Sequence, residues 1–181
     1  MKVCIVALNI VPLFAGDRNG LFGGAEVQTS FVASALAACR QPVSMVVSGL
    51  TNPSIIPYPV ENAFQPLEGM GGLRFFHPRW TGIMGALERA DADVYYQHCA
   101  GMVTGLTAMF CRRQRRVFVY GAGSDTDFSP RHVIISGWRD RMLYMYGLRR
   151  ADGIVAQNEQ QAAACRAALG REPRVIPTGV P

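Results

Sequence analysis

Lysine is almost absent from this sequence. Lys2 stands alone, and arginine supplies the other 17 of the 18 basic residues; against 13 acidic residues the net charge is +5. Arginine's planar fork suits bidentate contact with phosphate or carboxylate, while compositional bias in the source genome would yield the same skew. Also missing is any CxxC pair or metal-ligand spacing among Cys4, Cys39, Cys99, Cys111 and Cys165, so no metal site is expected. Four of the five sit in apolar or helical patterns, and they read as buried free thiols of a reducing, cytoplasmic setting. No run approaches the ~20 apolar residues of a spanning helix. The apolar opening from Met1 to Gly16 is interrupted by Asn9 and Pro12 and lacks a clean small-residue cleavage site, so it reads as a buried first strand rather than a secretory signal. The GxGxxG fingerprint of dinucleotide folds does not occur, and no motif supports nucleic-acid binding.

What is present is a soluble-type composition, 49% apolar and 17% charged over 181 residues, enough for one domain with an ordinary core. Short apolar runs alternate with longer helical patterns. Strands are expected at Val3–Leu8, Val43–Ser48, Gly72–Phe76, Val94–Gln97, Arg116–Tyr120, Gly153–Gln157 and Arg174–Ile176. Between them, helices are expected at Ala25–Cys39 (apolar stripe Val27, Phe31, Val32, Ala35, Leu36), Ile83–Ala90, Cys99–Cys111, Val133–Arg150 and from Asn158, an N-cap with Gln161 three residues on, to Gly170. Thr51–Met70, rich in Pro, Asn and Ser, reads as loop. The alternation predicts a Rossmann-like α/β fold: a mostly parallel sheet with helices on both faces. Residues 1–176 form the expected domain, and 177–181 read as linker.

Ligands of open α/β sheets sit beyond the carboxyl ends of the strands, which selects the loops to inspect. Phe22-Gly23-Gly24-Ala25-Glu26 opens the first long helix. Its glycines permit close backbone approach and the helix start favours an anion; alternatively they only turn the chain. His98 follows the fourth strand, where a ligand-facing side chain belongs, though a lone histidine is as readily a satisfied loop residue. Asp125 and Asp127 follow the fifth strand and could position hydroxyls or do acid–base work, or cap the helix beginning near Pro130. His77 precedes Pro78 in a turn, and His132 has no comparable placement. Arg112, Arg113, Arg115 and Arg116 lie on the side away from the cleft and read as a solvated turn. Trp138–Arg150 mixes aromatic, methionine and arginine residues, compatible with a membrane surface or with a helix packed on the sheet.

GGAE at the helix start resembles the N-terminal domain of family-4 retaining glycosyltransferases of the GT-B class. So do Ala92-Asp93-Val94-Tyr95-Tyr96-Gln97-His98, Leu148-Arg149-Arg150-Ala151-Asp152-Gly153-Ile154-Val155-Ala156-Gln157 and Val175-Ile176-Pro177. The motifs run in order over nearly the whole chain. The resemblance implies an acceptor-side half of an enzyme that moves a sugar from a nucleotide diphosphate-sugar to an acceptor hydroxyl with retention. It implies His98 as the residue near the transferred sugar. The glycine loop would lie near the donor phosphates. The candidate substrate-binding residues are Gly23, Gly24 and Glu26, together with Asp125 and Asp127 from their place after the fifth strand. No cofactor or metal is implied beyond the donor. Implied partners are that donor, a glycan or lipid-linked acceptor, and the enzyme's own C-terminal domain, with peripheral membrane contact as an open alternative. The expected fragment is inactive by itself. The competing expectation is a stand-alone α/β module that binds a nucleotide or phosphorylated metabolite.

Overall fold

The structure is a computed structural model and describes residues 1–16, 22–66, 69, 74–129, 135 and 137–177. Contacts divide the chain into two compact units, Met1–Tyr95 and Tyr96–Pro181. Both are built from parallel strands and helices, as the alternating pattern predicts.

In the first unit β1 (Val3–Val6) and β2 (Val43–Val47) are buried at every residue. Continuous apolar runs are what a parallel strand covered on both faces requires. Val3 pairs with Val43 and Val6 with Val46. A third strand, β3 (Val60–Asn62), pairs in parallel with β2, Met45 opposite Val60. The strand expected at Gly72–Phe76 does not form where the structure describes it. Phe75–Trp80 is an irregular helical turn that includes a cis His77–Pro78 bond. Phe75 packs edge-on against Phe76 and Trp80, with ring centroids 5.2 and 5.7 Å apart. Three aromatics meeting within one turn satisfy locally an apolar run that reads as a strand, and the edge of β2 is taken by Val60–Asn62 from the expected loop. Residues 71–73 lie outside the described residues.

Helix α1 (Val11–Ala15) ends on Gly16 in the left-handed region and was not legible in the glycine-rich opening. Helix α2 (Gly24–Ala38) matches the expected first helix, but its buried residues are Thr29 and Ala33, and Phe31 is 41% exposed. The helix is apolar around most of its circumference, so the stripe read from spacing is not the one that packs. By contrast α3 (Thr81–Ala90) buries Ile83, Ala86, Leu87 and Ala90, the spacing of a single helix face, against β2 and β3.

Strand β4 (Val94–His98) runs across the division, its first two residues in one unit and its last three in the other. In the second unit β5 (Val117–Gly121), β6 (Gly153–Ala156) and β7 (Arg174–Val175) pair in parallel, with Tyr120 opposite Ile154 and Ala156 opposite Val175. Helices α4 (Met102–Gln114) and α5 (Trp138–Arg150) cross at two glycines. A Cβ on Gly105 would collide with the Leu143 carbonyl, and one on Gly147 with the Thr104 carbonyl. Helix α6 (Glu159–Leu169) is capped as expected: Asn158 Oδ1 accepts from the Gln161 N–H at 2.8 Å, and Gly170 closes the helix at φ 64°. Among the described residues no helix is long and apolar enough to cross a membrane.

Candidate functional site

The sequence-selected residues fall in both units: Gly23, Gly24 and Glu26 in the first, His98, Asp125 and Asp127 in the second.

Gly23 is the N-cap of α2 and extended (φ −118°, ψ −172°). The Glu26 carboxylate turns back and accepts from the Gly23 N–H at 2.8 Å, satisfying one of the donors a helix start leaves open. A Cβ on Gly24 would meet nothing within 4 Å, and one on Gly23 only Glu26 Oε2 at 3.6 Å. Neither glycine is therefore demanded by packing, and neither has a left-handed φ. What their missing side chains leave is open backbone at a helix N-terminus. In this pose Glu26 acts on the helix start.

In the second unit the corner after β4 is tightly built. Gln97 is buried, and its Nε2 donates to the His98 and Cys99 carbonyls at 2.8 and 2.6 Å. Its Oε1 accepts from the Thr104 hydroxyl at 2.8 Å. One glutamine thus ties the strand end to the first turn of α4. Cys99 sits at φ 70°, a conformation that costs a non-glycine residue ~1–2 kcal/mol. Its N–H donates to the Gly121 carbonyl at 3.0 Å. His98, half-buried, lies with Nδ1 3.2 Å from the Tyr96 hydroxyl, the two rings nearly parallel at 19° and 6.3 Å. Desolvation lifts the Tyr96 phenol well above its ordinary range, with the nearby Cys99 charge adding to the shift, so Tyr96 stays neutral.

The loop after β5 fits against this corner through two more glycines. A Cβ on Gly121 would overlap the Tyr96 hydroxyl and lie 2.9 Å from His98 Nδ1, and one on Gly123 would overlap Cys99 Sγ. Asp125 and Asp127 share the following turn in opposite settings: Asp125 is exposed, Asp127 buried. Asp127 Oδ2 accepts from the Tyr120 hydroxyl at 2.7 Å and the Gly123 N–H at 2.8 Å. The Tyr144 hydroxyl donates to the Asp127 carbonyl at 2.8 Å. Burial raises the Asp127 pKa, partly offset by the bonds from Gly123, Tyr120 and Ser124, with Asp125 adding to the rise. The same burial lifts the Tyr120 and Tyr144 phenols. A third strand end joins through Gln157, whose Nε2 donates to the Ala122 carbonyl at 2.9 Å.

Elsewhere, His77 is exposed and 2.9 Å from the Thr81 hydroxyl through Nδ1, while His132 and Pro130 lie outside the described residues. Among the described residues no group of three or more His, Cys, Asp or Glu could hold a metal ion. Residues that sequence reading did not single out, Tyr96, Gln97, Gly121 and Gly123, carry most of the corner's geometry. The one signal for them is position: Gln97, Gly121 and Gly123 stand at or just past the carboxyl end of a strand, and Tyr96 two residues before one.

A family model described as a glycosyl transferase 4-like domain matches residues 23–179. No curated protein sequence matches the chain significantly. Among solved structures, the chain resembles the UDP-GlcNAc 2-epimerase of Methanocaldococcus jannaschii, with TM-score 0.64 and 13% identity over 99% of this chain and 45% of that one. A sucrose-phosphate synthase structure from Thermosynechococcus elongatus gives TM-score 0.56 and 14% identity over 99% of this chain and 90% of that one. A lipopolysaccharide outer core galactosyltransferase gives TM-score 0.56 and 12% identity over 93% and 42%. At these identities the likeness is one of fold, a Rossmann-like α/β fold. The chain spans less than half the length of the epimerases it matches.

Proposed function

The chain belongs to the glycosyl transferase 4-like family, and from that premise we propose that it is the acceptor-side half of an enzyme that moves a sugar from a nucleotide diphosphate-sugar to an acceptor hydroxyl with retention of configuration. The observation that carries this reading is the His98 corner. A histidine at the carboxyl end of a parallel strand, held by Gln97, Tyr96 and two close-packed glycines, is in the position where α/β sheets meet ligands. There His98 contacts the transferred sugar. The exposed carboxylate of Asp125 meets a sugar or acceptor hydroxyl. Asp127 serves binding indirectly, by holding the turn that presents Asp125. Gly23 and Gly24 leave room for the donor diphosphate at the start of α2, and Glu26 fixes that start.

The partners are the nucleotide-sugar donor, a glycan or lipid-linked acceptor, and a second, donor-binding half of the same enzyme. Protein groups neutralise the leaving diphosphate, and no cofactor takes part. Since positioning and charge stabilisation need both halves, the chain alone has no turnover. None of the five cysteines forms a disulfide, which supports a reducing, cytoplasmic setting. Trp138 and Met142, 75% and 61% exposed on α5 beside Arg139 and Arg141, support a peripheral membrane contact.

The similarity to an epimerase that acts on UDP-GlcNAc favours one second reading, isomerisation of a nucleotide sugar without an acceptor. The family match favours transfer. His98→Ala in the enzyme carrying both halves tests the site. Turnover falls about 10²-fold or more, the scale for removing one group that meets the reacting centre, while the lost Tyr96 contact costs only about 1 kcal/mol of stability. Unchanged turnover would remove His98 from the site.

A further inference from the structure

Away from the His98 corner, the second unit carries a cavity of about 350 Å³ walled by Arg112, Arg115, Arg116 and Arg150, with Asp152 at its side. Ala108, Cys111 and Phe118, all buried, form its apolar floor. It opens at the start of β5, whereas Gly121 and the His98 corner lie at the end of that strand, ~13 Å away at ~3.3 Å per residue. Two helices deliver the arginines, α4 and its C-cap on one side and α5 on the other.

The charge here does not cancel. Asp152 is the single carboxylate on the wall and offsets one arginine charge; its Oδ2 also accepts from the Phe118 N–H at 2.8 Å. Among the described residues no carboxylate pairs with Arg112, Arg115 or Arg150. Both helices end at the cavity, and each C-terminus is worth roughly half a negative charge. That offsets about one of the positive charges and leaves the wall cationic. Arg115 adds a second oddity: it caps α4 at φ 55°, where glycine is the usual residue.

We propose that this cavity is an anion site for a ligand bearing a phosphate or diphosphate group, distinct from the His98 corner and independent of the transferase reading. Guanidinium forks grip phosphate oxygens in pairs, and the apolar floor accepts the organic part. The volume is in the lower range of ligand pockets and holds about ten waters at ~30 Å³ each, more than one phosphate group fills. The same chemistry is offered by a soluble phosphorylated metabolite and by an anionic lipid headgroup.

Titrating the chain with pyrophosphate, and in parallel with vesicles of phosphatidylcholine with and without phosphatidylglycerol, separates the two sources. Arg112→Gln combined with Arg115→Gly is expected to weaken the productive arm at least tenfold. Arg174→Gln, which removes an exposed β7 charge outside the cavity, leaves it unchanged. Arg115→Gly relaxes the left-handed cap, so this single variant should fold at least as stably as the parent while still binding more weakly. Pyrophosphate binding lost in the double variant establishes a soluble ligand; vesicle binding lost with no pyrophosphate binding establishes a headgroup. Binding in neither arm, or equal loss with Arg174→Gln, overturns the proposal.

Discussion

Gly121→Ala is a small change with a large expected effect on the His98 corner. The added methyl would overlap the Tyr96 hydroxyl, lie 2.8 Å from Tyr96 Cζ and 2.9 Å from His98 Nδ1. Tyr96 has little room to withdraw, because the atom in the way is the ring's own tip in a desolvated setting. Two costs follow. Overpacking of a filled site runs ~1–3 kcal/mol, and separating the Tyr96 hydroxyl from His98, now 3.2 Å apart, adds ~1 kcal/mol. A total of ~2–4 kcal/mol lowers the melting temperature of a chain this size by roughly 4–16 °C. Thermal unfolding followed by circular dichroism reads this directly. Removing the nearest atom supplies the control: Tyr96→Phe alone costs about 1 kcal/mol, and added to Gly121→Ala it recovers part of the loss, since Cζ stays 2.8 Å from the methyl. Such coupling is expected of residues in contact. A Gly121→Ala protein that melts with the parent, or a double variant whose losses simply add, would refute the close fit on which the His98 placement depends.

Gly147→Ala places a methyl against the Thr104 carbonyl, a backbone atom that cannot rotate away. It should destabilise by ~3 kcal/mol or more, measured as a shifted denaturant midpoint with unchanged slope. Asp127→Asn tests the buried carboxyl. Because burial raises the folded-state pKa, the folded chain holds that proton more tightly than the unfolded one. Its contribution is complete below the unfolded value of ~3.9 and is lost as pH rises through the raised value. The stability of Asp127→Asn relative to the parent therefore climbs with pH over that window, and a flat difference from acid to neutral pH contradicts the assignment. Gly24→Ala should leave melting unchanged or slightly raised, since the site is open and alanine favours helix, yet weaken donor binding by the two-half enzyme in a calorimetric titration.

Much of the fold was legible because its signals are local. The VCIV and VSMVV runs are buried at every position, Asn158 and Gly170 bracket α6, and the order of strands and helices follows from periodicity. The failures have different causes, one distant in sequence and one local. Val60–Asn62 is a strand only because β2 offers it an edge, and a proline-rich segment carries no mark of that. Phe75 and Phe76 read as strand, but Phe75 packs within one turn on Phe76 and Trp80. In the site, the position of His98 was visible as the residue ending a strand. Gly121 and Gly123 were not, because a glycine required by another segment's side chain looks like any other. Asp127 was visible as a carboxylate in a loop, but nothing local distinguishes it from Asp125. Only Tyr120 and Tyr144, from a strand and a helix on either side, decide which of the two is enclosed.

The central claim, an acceptor-side half of a retaining glycosyltransferase, is tested most directly on the product. The enzyme carrying both halves is supplied with isotopically labelled nucleotide sugars and candidate acceptors, and the anomeric configuration of the transferred sugar is read by NMR. The account expects a new glycosidic bond with the donor's anomeric configuration kept, and no turnover from residues 1–181 alone. An inverted product, or a nucleotide sugar merely epimerised with no bond to an acceptor, would contradict it.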